Sequence, residues 1–166
     1  MDQLWAPWRD KYISAVMKPM RGCVFCRIGK ERADKKNLIF VRAKYCFAVL
    51  NLFPYNNGHI LLMPYRHVND LQKLHKAESD ELFELLIHTK KLLTKVLRPQ
   101  GFNVGINLGR IAGAGFPGHL HVHVVPRWKG DMNFMPVVGS TKVISQSLHN
   151  LHQSLVTTQK RTPFKS

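Results

Sequence analysis

Three histidines occupy alternate positions in His119-Leu120-His121-Val122-His123. Imidazole is the side chain whose unperturbed titration falls nearest neutral pH. In an extended strand alternate residues share a face. The three rings should therefore line one side while Leu120, Val122 and Val124 point into a core. One such histidine is most simply a surface or hydrogen-bonded core residue. Three on one face are costly unless used, because charged rings repel and buried neutral rings each need partners. Metal ligation and nucleophilic or acid–base chemistry are the two uses. The preceding segment, Gly109 to Gly118, is too glycine-rich for regular structure, and its N–H groups can approach an anion closely. Neutral imidazole is also a competent nucleophile at phosphorus. Imidazoles beside an anion cradle point to phosphoryl or nucleotidyl transfer.

A second constellation is Cys23-Val24-Phe25-Cys26. This spacing suits half of a zinc site, a redox pair, or chance. Zinc needs four ligands, so two more must come from elsewhere. A redox motif should accompany a βαβ pattern, and none is evident. With Cys46 the cysteines number three, unlike an extracellular disulfide framework. Cys46 lies in the apolar run to Leu50 and reads as a small buried hydrophobe.

Short apolar segments must carry these residues. Leu38–Val41, Cys46–Leu50, His59–Met63, Phe102–Asn107 and Leu120–Val125 are each bounded by turn formers or proline, as strands are. Pro54-Tyr55-Asn56-Asn57-Gly58 is a strong turn before His59. Between Asp70 and Leu97 leucines recur at three- and four-residue steps, which predicts a long helix. Ser79 or Asp80 offers a fresh N-cap within it, and Pro99 and Gly101 stop it. Ile144, Leu148, Leu151 and Leu155 mark one face of a short C-terminal helix. Strands and helices come in runs, which favours an α+β fold. The expected organisation is an N-terminal arm over 1–21, anchored by Trp5, Pro7, Trp8 and Tyr12, one domain over 22–158, and a frayed basic tail over 159–166. Residues 30–36 read as a solvated charged turn. His75, His88, His149 and His152 are expected on the surface, and Trp128 and Phe134 beside the site. Asp131 and Asn133 acquire no role from the sequence.

The chain has 166 residues, 25 Lys and Arg against 10 Asp and Glu, and a net charge of +15. A hydrophobic content of 45% excludes wholesale disorder. No apolar run approaches the ~20 residues that cross a bilayer, and no secretory signal opens the sequence. A soluble cytoplasmic protein is expected, with no membrane partner. The charge favours phosphate-bearing partners. Arg110, Arg127 and Lys129 stand close enough to the histidines to contribute. Aromatic and basic residues do not interleave along a strand as single-strand stacking platforms require, so nucleic acid is possible but not favoured.

The His119-x-His121-x-His123 run resembles the signature of the histidine triad (HIT) family. Cys23-x-x-Cys26, Asn51, Gly58-His59 and Gly113-Ala114-Gly115 stand in that family's order, over about Leu4 to Leu148. Trp5-Ala6-Pro7-Trp8-Arg9 and Val125-Pro126-Arg127-Trp128 resemble bacterial diadenosine tetraphosphate phosphorylase-like members. The resemblance implies a HIT-like antiparallel sheet and a homodimer that cleaves dinucleoside polyphosphates or nucleoside phosphoramidates. His121 would be the nucleophile, forming a nucleotidyl-histidine intermediate. His123 would orient the site and hold phosphate oxygens, with His59 supporting the triad. Asn51 would bind ribose, and Asn107 with Gly113, Ala114 and Gly115 would contact phosphates. It further implies structural zinc on Cys23, Cys26, His67 and His119, or else a metal-free His119 that contacts phosphate. No organic cofactor is implied. One departure stands out: Ala114-Gly115-Phe116 offers no hydroxyl or amide where many members have a Gln-Ser or Gln-Thr pair, so backbone N–H groups must substitute. The competing reading is a zinc-stabilised protein that only binds nucleotides or nucleic acid.

Overall fold

The apolar runs become strands, and every pairing between them is antiparallel. The computed structural model describes residues 22–131 and 144–165. The expected N-terminal arm, Asn133 and Phe134 lie outside the described residues. Five strands, β1 (Ile39–Arg42), β2 (Cys46–Leu50), β3 (Ile60–Pro64), β4 (Gly101–Ile106) and β5 (Val122–Arg127), form one sheet in the order β1-β2-β3-β5-β4. The helices are α1 (Val24–Lys30), α2 (Asp34–Asn37), α3 (Lys76–Leu97) and α4 (Leu148–Arg161), with a short 3-10 turn at Leu71–Lys73. The fold is α+β, with the expected long helix and C-terminal helix.

β2 and β3 lie in the middle of the sheet and are buried throughout. This explains why they read as continuous apolar runs rather than alternating ones. α3 buries Leu82, Leu85, Leu92 and Leu93 and packs on β2 and β3. α4 buries Leu151 and Leu155 and packs on β1 and α3.

Several boundaries differ from expectation. The long helical region breaks at Leu74, and α3 starts from His75 rather than Ser79 or Asp80. Glu78 decides this: its carboxylate accepts the His75 N–H at 2.9 Å and pairs with Arg66 at 2.6 Å. The charged 30–36 segment contains the start of α2, where Asp34 is gripped by Arg42. α4 continues to Arg161, so the supposed tail begins as helix, and Phe164 packs against His88. His152 is buried, not exposed; its Nε2 donates to the Ile39 carbonyl at 2.8 Å, where the β1–β2 register shifts. His88 is not a bare surface residue either, since it bonds Gln159 and so joins α3 to α4. Cys46 is fully buried, and burial pushes its thiol up to about 12. No helix among the described residues is long and apolar enough to cross a membrane.

Candidate active site

The register places the histidines. Leu61 of β3 faces His123 of β5, so His59, two residues before Leu61, lies diagonal to His123 on the same face. The ladder of β5 starts only at Val122, so His119 and His121 precede it. The expected row of three on one strand face is thereby divided. The rings of His121 and His123 are 4.9 Å apart and those of His123 and His59 5.1 Å apart, whereas His119 lies 5.3 Å from His67. The backbone explains the split: Leu120 N–H bonds the Val68 carbonyl, tying this segment to the chain that follows β3.

Fixed backbone groups set the tautomers. Tyr55 N–H can only donate, at 3.0 Å, so His59 Nδ1 must accept. Neutral His59 then carries its proton on Nε2 and donates to His123 Nδ1 at 2.9 Å. His123 in turn holds its proton on Nε2, a buried atom with no hydrogen-bond partner among the described residues. At the other end the His119 carbonyl can only accept, so His121 donates from Nδ1 at 2.7 Å. The lone pair of His121 is left on Nε2. Burial lowers the pKa of His121 and His123, the latter to about 4, with repulsion from His121 adding to the second effect. Near neutral pH the cluster presents a buried neutral imidazole with its lone pair on Nε2 beside a neutral N–H donor.

Other expected residues scatter around this pair. Asn51 donates to His59 Nδ1 at 3.2 Å, and its oxygen accepts the Phe53 N–H at 3.0 Å, so both ends of its amide are engaged within the protein. Asn107 follows the Ile106–Val122 pair, at the end of the ladder where His121 enters. Gly113 adopts φ +89°, yet its N–H bonds Arg110 and that of Ala114 bonds Gly109. Two of the three expected phosphate donors are therefore engaged in the loop's own turns. Arg127, close enough in sequence to contribute charge to the site, is committed to Asp131 and Asn103. Arg110 and Lys129 are exposed. Trp128 stands past the far end of β5, about 16 Å of strand from His123.

Cys23, Cys26, His67 and His119 converge, their ligand atoms all within 4.8 Å of one another. Sulfur–nitrogen separations are 3.3 Å for Cys23–His119, 3.3 Å for Cys26–His67 and 3.5 Å for Cys26–His119. A tetrahedral zinc with ordinary bond lengths separates its sulfur and nitrogen ligands by about 3.5 Å. His119 also donates from Nε2 to the Pro64 carbonyl at 2.9 Å, which leaves Nδ1 unprotonated and facing the sulfurs. The donor set and its spacing fit zinc. α1 carries Cys26, with Cys23 as its N-cap residue, and Phe25 between them packs 5.2 Å from His121.

Comparison with known proteins decides the family. The HIT domain family model matches residues 32–130. The chain belongs to the histidine triad family. This HIT protein is 41% identical to AP-4-A phosphorylase of Mycobacterium tuberculosis over 170 aligned residues, spanning 98% of this chain and 87% of that one. It is 37% identical to the asymmetrical bis(5'-nucleosyl)-tetraphosphatase of Schizosaccharomyces pombe over 95 residues, 57% of this chain and 52% of the relative. Its fold matches a zinc-bound histidine triad family protein from Mycobacterium smegmatis with a TM-score of 0.66 and 22% identity, covering 85% and 95% of the two chains.

Sequence reasoning missed Phe25 and Tyr55. Tyr55 stacks on His123 at an interplanar angle of 15° and lies 4.6 Å from His59. Its position in the turn before Gly58-His59 was the available signal. Phe25 had one too, standing between two metal-spaced cysteines.

Proposed function

We propose that this HIT protein cleaves dinucleoside polyphosphates of the diadenosine tetraphosphate type through a covalent nucleotidyl-His121 intermediate. The observation that carries this reading is the pair of fixed tautomers, which leaves the His121 Nε2 lone pair and the His123 Nε2–H with no hydrogen-bond partner among the described residues. His121 Nε2 attacks a phosphorus, the bond to the bridging oxygen breaks, and the distal nucleotide leaves. The positive charge arising on His121 is met by its Nδ1–H bond to the His119 carbonyl. A second oxygen nucleophile then displaces His121 and restores the free enzyme. In this reading His123 Nε2–H donates to a phosphate oxygen, with Asn107 and the Gly115 N–H as further phosphate contacts. Asn51, already bonded to His59, contacts ribose with what remains of its hydrogen-bonding capacity. The near-full-length likeness to a phosphorylase supports phosphate as the second nucleophile.

Cys23, Cys26, His67 and His119 hold zinc in this reading. Zinc bound there closes a four-ligand structural site and supplies rigidity rather than a reacting water. The protein acts in the cytoplasm as a homodimer. The uncharged, exposed edge of β4, Asn103–Gly105, supports the dimer.

The test is incubation with diadenosine tetraphosphate, with and without inorganic phosphate. ATP and ADP formed only with phosphate mark phosphorolysis; ATP and AMP mark hydrolysis. His121→Ala should keep the fold and nucleotide binding and lose at least about 10³-fold in turnover and all adenylylated protein by intact mass. Near-normal turnover in His121→Ala would overturn His121 as the nucleophile, and a wild-type protein that binds nucleotide without turnover or adduct would leave only nucleotide binding.

A further inference from the structure

The turn that sets the His59 tautomer is held from outside the histidine cluster. Asn56 Nδ2 donates to Asp131 Oδ2 at 2.7 Å and to the Pro126 carbonyl at 3.1 Å. The Asp131 carboxylate also receives Arg127 Nε at 2.7 Å, Arg127 Nη2 at 3.0 Å and the Trp128 N–H at 3.1 Å. Arg127 extends the tie to β4 through Asn103 at 2.7 Å. Only 7% of the Asp131 side chain is exposed. Hydrogen bonding to Arg127 holds its carboxyl down to about 2, so it is an anion at any working pH.

Asn56 also has its backbone within the catalytic turn. Its carbonyl accepts the His59 N–H at 3.2 Å, and its side-chain oxygen accepts the Asn57 N–H at 3.0 Å. One residue earlier, Tyr55 supplies the N–H that occupies His59 Nδ1. The turn has no slack on its inner side. Gly58 sits at φ +75°, where a Cβ would come within 2.5 Å of Leu97 Cδ1 and 3.1 Å of Pro126 Cγ.

We infer that Asp131 is a positioning residue for the nucleotidyl-transfer centre, acting through the Asn56 side chain to hold the 55–58 turn against His59. The chain of contacts runs from Asp131 to Asn56, from the turn to His59 Nδ1, and from His59 Nε2–H to His123 Nδ1. Its effect is to keep the His123 proton on Nε2, toward the substrate. The other His59 tautomer, protonated on Nδ1, would draw the His123 proton to Nδ1 and remove that donor. The inference rests on the proposed chemistry for its kinetic consequence, but its structural claim concerns the His59 tautomer alone.

Imidazole nitrogen spectra of the full chain and single-turnover adenylylation by diadenosine tetraphosphate test it together. The variants are Asp131→Asn, Asp131→Ala and Asn56→Asp. Each should convert His59 from one protonated-Nε2 tautomer to an exchanging mixture. Each should slow adenylylation on the order of tenfold to a hundredfold, the scale of a small misplacement, with KM nearly unchanged. Folded variants that keep the single tautomer and the wild-type rate overturn the inference. If Asp131→Ala fails to fold, the isosteric Asp131→Asn carries the same readouts. A wild-type protein that forms no adduct defeats the proposed chemistry instead, and the tautomer then decides the role of Asp131 by itself.

Discussion

His123 sits between two other imidazoles, 5.1 Å from His59 and 4.9 Å from His121, under the ring of Tyr55. Desolvation, followed by repulsion from His121, lowers its pKa to about 4. The unfolded chain titrates this group near pH 6.5. Between those values the unfolded state binds more protons, so stability falls as pH drops from about 6.5 towards 4. Tyr55 is 39% exposed, so replacing it lets water reach His123 with little loss of buried area. Tyr55→Ala should raise the His123 pKa by about one unit or more, as lost desolvation predicts. The acid loss of stability should shrink with it. Imidazole titration by NMR gives the first quantity, and urea midpoints on either side of the window give the second. An unchanged His123 titration would mean that Tyr55 does not shield it.

α1 shows at the scale of an element why the sequence was only partly legible. The strands were readable because each is an apolar run between turn formers, and the pairing of β3 with β5 then brought His59 to His123. α1 has seven residues, no side-chain cap and a glycine, too little for helix periodicity to register. Its helicity comes from packing. Gly29 lets the backbone approach Tyr65 and Phe47, where a Cβ would lie 3.2 and 3.3 Å from their rings. Arg42 then binds the carbonyls of Gly29 at 2.7 Å, Ile28 at 3.3 Å and Glu31 at 2.7 Å. No local pattern in the sequence links Arg42 to the end of that helix. His152 was misread for the same reason, because its partner is a carbonyl 113 positions away. Arg42 thus holds the segment that presents Cys23 and Cys26 without touching either. Arg42→Ala should weaken zinc retention by about tenfold, as outer support of metal ligands does. It should also lower stability by about 2–3 kcal/mol from the carbonyls left unpaired. Competition with a chromophoric chelator measures the first effect. Unaltered zinc affinity in a destabilised protein would separate Arg42 from the metal site.

At the scale of the whole molecule, β4 leaves one side of the sheet open among the described residues. Its sequence, Gly101-Phe102-Asn103-Val104-Gly105-Ile106, contains none of the charges or prolines that guard free strand edges. Val104 is exposed on it, and Phe83 and Ile87 are exposed on α3. Lys90 of α3 lies over the Phe102 ring of β4, so the two elements adjoin. A second copy pairing along β4 would extend the sheet and cover apolar side chains from both elements. Charge opposes this, because each chain carries +15 and a dimer doubles it. Self-repulsion is screened by salt, whereas apolar and backbone contacts are not weakened by it. The dimer should therefore tighten between low and physiological salt, opposite to the attraction of a polyphosphate substrate, which weakens. Val104→Lys places a further cation on the edge and should shift the protein to monomer. Its circular dichroism should not change, since Val104 packs into no core. Sedimentation equilibrium at two salt concentrations reads both effects. A wild-type monomer at every concentration would reject the dimer, and a Val104→Lys dimer would place the interface on another surface.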